Sequence, residues 1–262
     1  TNNLENGSVL TINGNYVNWQ NDTNTRILQI RGTGAKTVWN GQIANSPANG
    51  PSRLNISIPN SSIFELNGGA INTFTGGILL YQGDLRLAKA GALGTGTLVL
   101  EGGTVRGQGI ELTGANKITN QVLLNGEHTK FVGSDSIEVS GNLLNNNGNR
   151  YFFNDITGAG KSLTLLGGVN LSHDTNNRIL VYGGSGVTNF ASVIVNGSTA
   201  TGSRPPPCLA CSPRRVAWTS SPCRVRVPGC RSGCSARACS ARRSEEHTSE
   251  LQSHYSSSYA VF

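Results

Sequence analysis

Methionine is absent from the 262 residues, and up to about Thr201 the chain has no cysteine and only three prolines. No disulfide or thiolate–metal site can hold that part together, so burial and backbone pairing must do it. No apolar run approaches the roughly 18 residues a membrane-spanning helix needs. The N-terminus, TNNLENGSVL, has no basic segment followed by an apolar one and starts in mid-pattern without Met, so the expectation is a fragment with no signal peptide and no membrane insertion of its own. A charge of one sign is also missing. Residues 1–203 carry 12 Lys and Arg against 11 Asp and Glu, and the remainder 9 against 3, which divides the net +7 into +1 and +6. The basic balance belongs to the tail, and no nucleic-acid partner is expected for the rest.

Helical signals are scarce, because Gly and Asn recur every few residues and no apolar set repeats at i, i+3, i+4. Short alternating runs take their place. Leu54, Ile56 and Ile58 alternate with polar neighbours, as do Leu85 and Leu87, and Leu163 and Leu165, while Leu98 and Leu100, and Val193 and Val195, recur at the same spacing of two. Each predicts a short strand with those residues facing inward. Asn-Gly at 13, 40, 67, 125 and 196 and Gly-Gly at 68, 76, 102, 167 and 183 mark the turns between them.

Internal repetition narrows the architecture. DTNTRILQIRGTG from Asp22 returns as DTNNRILVYGGSG from Asp174, with a looser copy, NGNRYFFNDITGAG, from Asn147. A second unit appears as FELNGG from Phe64, LVLEGG from Leu98 and LTLLGG from Leu163. One rung of about 20 to 25 residues cannot bury its apolar face alone, whereas stacked rungs share a continuous core. The expectation is an all-β chain, a parallel β-helix (solenoid) over 1–202, with roughly eight to ten rungs and a length of about 40 to 45 Å. A β-sandwich is the rival architecture, since it shows similar strands and turns.

Residues 74–107 read FTGGILLYQGDLRLAKAGALGTGTLVLEGGTVRG. This resembles the autotransporter-associated β-strand repeat of bacterial passenger domains, in Thr75, Gly76 and Gly77, then Gly83, Leu85 and Leu87, then Ala92, Leu93, Gly94 and Gly96, then Leu98, Leu100, Gly102 and Gly103. The resemblance implies a right-handed parallel β-helix from a Gram-negative cell. It implies display at the cell surface or in the medium, anchored through the outer membrane in a longer parent by a C-terminal β-barrel translocator, the expected partner. An adhesive role toward a host surface or glycan goes with it.

The chemistry-like motifs read as structure. GAGKS at 158–162 lacks the first glycine of a phosphate-binding loop, since Asp155 holds that place, and a strand pattern follows instead of a helix. GGSG at 183–186 has Gly184 where a passenger protease carries Asp, and Gly184 and Gly186 match Gly32 and Gly34 of the other copy. Ser185 is therefore not read as a nucleophile. SHDTNNR offers His173, Asp174 and Arg178, but Asp22 and Arg26 repeat the acid and the base, which favours a stabilised turn. No catalytic, cofactor-binding or metal residue is expected and no cofactor. The alternative, a carbohydrate-active β-helix enzyme (polysaccharide lyase or hydrolase), expects an acidic cleft with at least three convergent ionisable side chains.

All six cysteines lie between Cys208 and Cys239. CLAC at 208–211 has ligand spacing without a second pair. Between Arg204 and Arg242 there is no Asn, Lys, Ile, Phe, Tyr, Asp or Glu. RSEEHTSELQS, Arg243 to Ser253, resembles the direct translation of a sequencing adapter, and SYAVF, Ser258 to Phe262, continues it in the same frame. Residues 203–262 are accordingly expected to be a disordered, non-native tail, frame-shifted from about 204.

Overall fold

The computed structural model describes residues 1–4, 7–17, 22–173, 178–195 and 260–261. Its strands fall on three faces of one coil. The first sheet stacks Val9–Ile12, Lys36–Trp39, Ile63–Leu66, Asp84–Leu87, Thr104–Gly107, Thr129–Gly133, Arg150–Ile156 and Leu180–Gly183. The second stacks Arg26–Arg31, Ser52–Ser57, Ile78–Gln82, Leu98–Leu100, Val122–Leu124, Leu143–Asn145, Val169–Asn170 and Ile194–Val195. The third face is in two pieces, Tyr16–Val17 on Ile43–Ala44, and Ile137–Val139, Ser162–Leu165 and Val187–Phe190. Neighbouring strands run parallel throughout, except that Ala260–Val261 pairs antiparallel with Leu180–Gly183. The fold is a parallel β-solenoid. Among the described residues, a three-residue 3-10 turn, Gly114–Asn116, is the one helical element.

Val9 pairs with Lys36, Ile63 with Asp84 and Arg150 with Leu180, so a coil takes 27, 21 and 30 residues at those places. The first sheet makes seven such parallel pairings, giving about seven coils. This corrects the expected eight to ten. Segments between strands, such as 45–51 and 113–117, lengthen the coils.

Alternation places the core. Leu54, Ile78, Leu98, Val122, Leu143 and Val169 are in register up the second sheet, each almost fully buried. Phe64, Leu85, Val105 and Phe131 form the matching column in the first sheet. Burying each such side chain contributes about 1.5–3 kcal/mol against leaving it in water. The pair Val193 and Val195 departs from expectation: both are exposed, at 55% and 46%, while Ile194 between them packs on the core and pairs with Val169. Alternation shows that two residues share a face and leaves open which face is inside.

The long repeat also lies differently from a rung. In its first copy the strand Arg26–Arg31 belongs to the second sheet and Lys36–Trp39 to the first, whereas the second copy puts Leu180–Gly183 in the first sheet and Val187–Phe190 in the third. Both copies nevertheless build one corner. Gly34 N–H donates to the carbonyl of Asn2, and Asn2 Nδ2 donates to Thr37 Oγ1. Correspondingly, Gly186 N–H donates to the carbonyl of Asn154, and Asn154 Nδ2 to Thr188 Oγ1. FELNGG, LVLEGG and LTLLGG likewise start on the first, second and third faces. These repeats encode a strand and the bend after it. By contrast, Asn13 and Asn40, 27 positions apart like the coils around them, stack on one corner, with Asn40 Nδ2 donating to Asn13 Oδ1 at 2.7 Å.

Candidate functional site

Side chains that point out of the first sheet are aligned by the same register that stacks the core. Asp84 pairs with Thr104, and Glu65 with Arg86, which in turn pairs with Arg106. Asp84 is the hub and is nearly buried, at 5% exposure. Its Oδ2 accepts from Arg86 Nε at 2.8 Å, and its Oδ1 accepts from Arg106 Nε at 2.9 Å and Thr104 Oγ1 at 2.8 Å. Arg86 Nη1 reaches Gln108 Oε1 at 3.0 Å. One coil back, Lys36 Nζ lies 2.7 Å from Glu65 Oε2, an ion pair without hydrogen-bond alignment. Proton transfer needs a carboxyl oxygen within reach of a substrate. Both oxygens of Asp84 are spent on neighbours, and hydrolysis of a glycosidic bond asks for two cooperating carboxyl groups across the scissile bond. The cluster joins successive coils across four strands.

Farther along the same face, the rings of His128 and Tyr151 stack 5.2 Å apart, His128 stacks on Phe153 at 6.0 Å, and Lys130 Nζ sits 5.5 Å above the Phe153 ring. Asp155 closes this stretch, 3.9 Å from Lys130 Nζ and accepting from Ser185 N–H at 3.0 Å and Ser185 Oγ at 3.3 Å. On the second sheet an open groove of about 510 Å³ is walled by Gln29, Arg31, Asn55, Ser57, Tyr81 and Gln82. Tyr81 is 47% exposed, beside a register shift at Ile56/Ser57. Amide, hydroxyl, guanidinium and aromatic groups together suit an extended polar ligand.

The motifs weighed in the sequence fall as follows. Lys161 of GAGKS pairs with Glu111, and Ser162 opens a strand, so no helix N-terminus faces the loop. That hydrogen bond, foremost, holds the Glu111 carboxyl below its ordinary value. Ser185 bonds Asp155, while the backbone N–H of His173 donates to the carbonyl of Asn145 and His128 stacks on Tyr151; the structure does not draw the three into a triad. Asp174 lies outside the described residues. Its counterpart Asp22 accepts from the Asn24 amide and side chain and from Arg26 Nη2. The Asn24 side chain above all, with the Asn24 amide and Arg26 acting the same way, lowers the Asp22 carboxyl below its ordinary value. Among the described residues no group of three or more His, Cys, Asp or Glu could hold a metal ion. The cysteines and the adapter-like stretch also lie outside the described residues, apart from Ala260–Val261. The Asp84 cluster and the aromatic stretch escape sequence reading because their members come from coils 20 or more residues apart; only the placement of polar or charged residues at alternate positions, as in DLRL and TVRG, hints at the first.

No family model matches the chain, and neither does any curated protein or solved structure.

Proposed function

We propose that this chain is part of the passenger of a Gram-negative autotransporter, a non-catalytic β-helical stalk that is displayed at the cell surface or released, with adhesion through its outer faces. The observation that carries this reading is the behaviour of residues 74–107. Ile78–Gln82, Asp84–Leu87, Leu98–Leu100 and Thr104–Gly107 form consecutive strands of the coil, the motif's leucines are buried, and Gly77, Gly83, Gly94 and Gly103 all take positive φ at its bends. A rung that buries Leu98 and Leu100 on arrival cannot slide back, which would help draw the chain outward. In the full-length parent, Leu98→Ser with Leu100→Ser is expected to reduce the amount of passenger reached by external protease on intact cells severalfold. Undiminished surface passenger would reject the export reading. Residues from about 204 are proposed to be a frame-shifted reading that runs into adapter sequence. Genomic reads that continue through codon 243 with other, well-supported sequence would reject that.

A further inference from the structure

The third face lacks strands between Ile43–Ala44 and Ile137–Val139, apart from single bridges from Leu112 and Ile118 to the latter. Loops fill it, and among them lies a cavity of about 220 Å³. Lys89 lines it, with 8% exposure. Its Nζ donates to the carbonyl of Ala70 at 2.5 Å and approaches Asn72 Oδ1 at 3.4 Å. That second contact is long, and Asn72 Oδ1 already accepts from Ile43 N–H at 2.9 Å. An ammonium has three protons to place, so at least one is left over. Lys117, whose Nζ donates to the carbonyl of Gly114 at 2.9 Å, lines the same cavity. Neither lysine pairs with a carboxylate among the described residues, and the lining contains no acid. In the first sheet's charged cluster Lys36, Arg86 and Arg106 each have an anion beside them, whereas the buried Arg150 places its guanidinium on the carbonyls of Asn146 and Asn147.

Burying a charge without its counter-charge is costly, and burial alone pulls the Lys89 ammonium below its ordinary pKa. An anion entering the cavity would supply what the fold leaves out. Asn116 and Thr119 bring an amide and a hydroxyl to the wall. The Asn120 side-chain nitrogen is spent on the carbonyls of Gly94 and Gly96. Ile71, 60% exposed, and the buried Leu87, Leu93, Leu112 and Ile118 make the rest of the lining largely apolar. An ammonium and a few polar groups beside a largely apolar wall match a sugar ring that carries an acid group and lays its C–H face on that wall. We propose that this cavity binds a single acidic sugar residue, its carboxylate on Lys89 with Lys117 adding long-range attraction, and its hydroxyls on the Asn116 and Thr119 side. The site stands whether or not the chain is exported.

Glucuronate titrated into the full chain at constant ionic strength is the test, read by calorimetry and by the ¹⁵Nζ signal of Lys89. Saturable binding that moves the Lys89 signal is expected, with affinity reduced about tenfold or more in Lys89→Met and less in Lys117→Met, whose change lies away from the buried amine. Glucose should not bind. Equal binding of glucose and glucuronate, a Lys89 signal unmoved at saturation, or undiminished binding in both variants would overturn the proposal. Binding of glucose 6-phosphate or inorganic phosphate without glucuronate would overturn the carboxylate assignment.

Discussion

Single residues decide whether the chain can turn. Gly184 has φ +115°, and a methyl group there would lie 2.1 Å from the carbonyl oxygen of Asn154. Gly160, at φ +71°, has open space around it. The left-handed conformation alone costs an alanine about 1–2 kcal/mol, and a backbone clash adds to that. Gly184→Ala should therefore destabilise clearly more than Gly160→Ala, a difference readable in urea midpoints. Lys89 provides a second residue-scale prediction. Its folded pKa lies below the unfolded value of about 10.4. Between those two values the unfolded chain retains a proton that the folded one has lost, so stability rises with pH across that interval, and below it the cost of the buried charge is borne in full. Denaturant midpoints in the alkaline range should show this rise in the parent chain and lose it in Lys89→Met. Lys89 was not legible in advance. Nothing in LRLAKAG says that the amine lands in a cavity, because Ala70 and Asn72, which contact it, and Lys117, which lines the same cavity, come from neighbouring coils.

At the scale of strands and bends, alternation and glycine carried most of the information. The strands Ser52–Ser57, Asp84–Leu87, Leu98–Leu100 and Ser162–Leu165 lie where their leucines and isoleucines alternate, and they face the way that alternation predicts. The failures share a cause. Val193 and Val195 face outward because their neighbour Ile194 competes for the interior and wins. The Asp22 and Asp174 copies look like one rung repeated, yet they occupy different faces, since three similar bends per coil can all use the Asn, Gly and Thr arrangement. The aromatic column at the far end tests packing between strands. Phe131 meets Phe152 edge-on at 5.5 Å, Phe152 lies 6.0 Å from Tyr182, and Tyr182 meets Phe190 at 5.5 Å. Phe152→Ala, at the middle of this run, is expected to cost about 3–5 kcal/mol, measured as a fall in unfolding free energy.

For the whole molecule, each coil touches chiefly the coils beside it, so stability is shared between neighbours instead of pooled. Amide hydrogen exchange should reflect this. Protection is expected to be highest in Ile78–Gln82, Asp84–Leu87 and Leu98–Leu100, which have partners on both sides, and lowest in Val9–Ile12 and Ile194–Val195, which have one among the described residues. Equal protection in all five strands would mean that the coils melt as a single unit. The parallel pairing has a mechanical corollary. Bonds between coils point along the rod, so a pull on its two ends loads one layer at a time, and the rod would yield by unspooling from a tip at modest force. A sideways blow would meet the covalent backbone of every loop it crosses. A filament built this way gives under tension by paying out slack, and can wind back when the load is released.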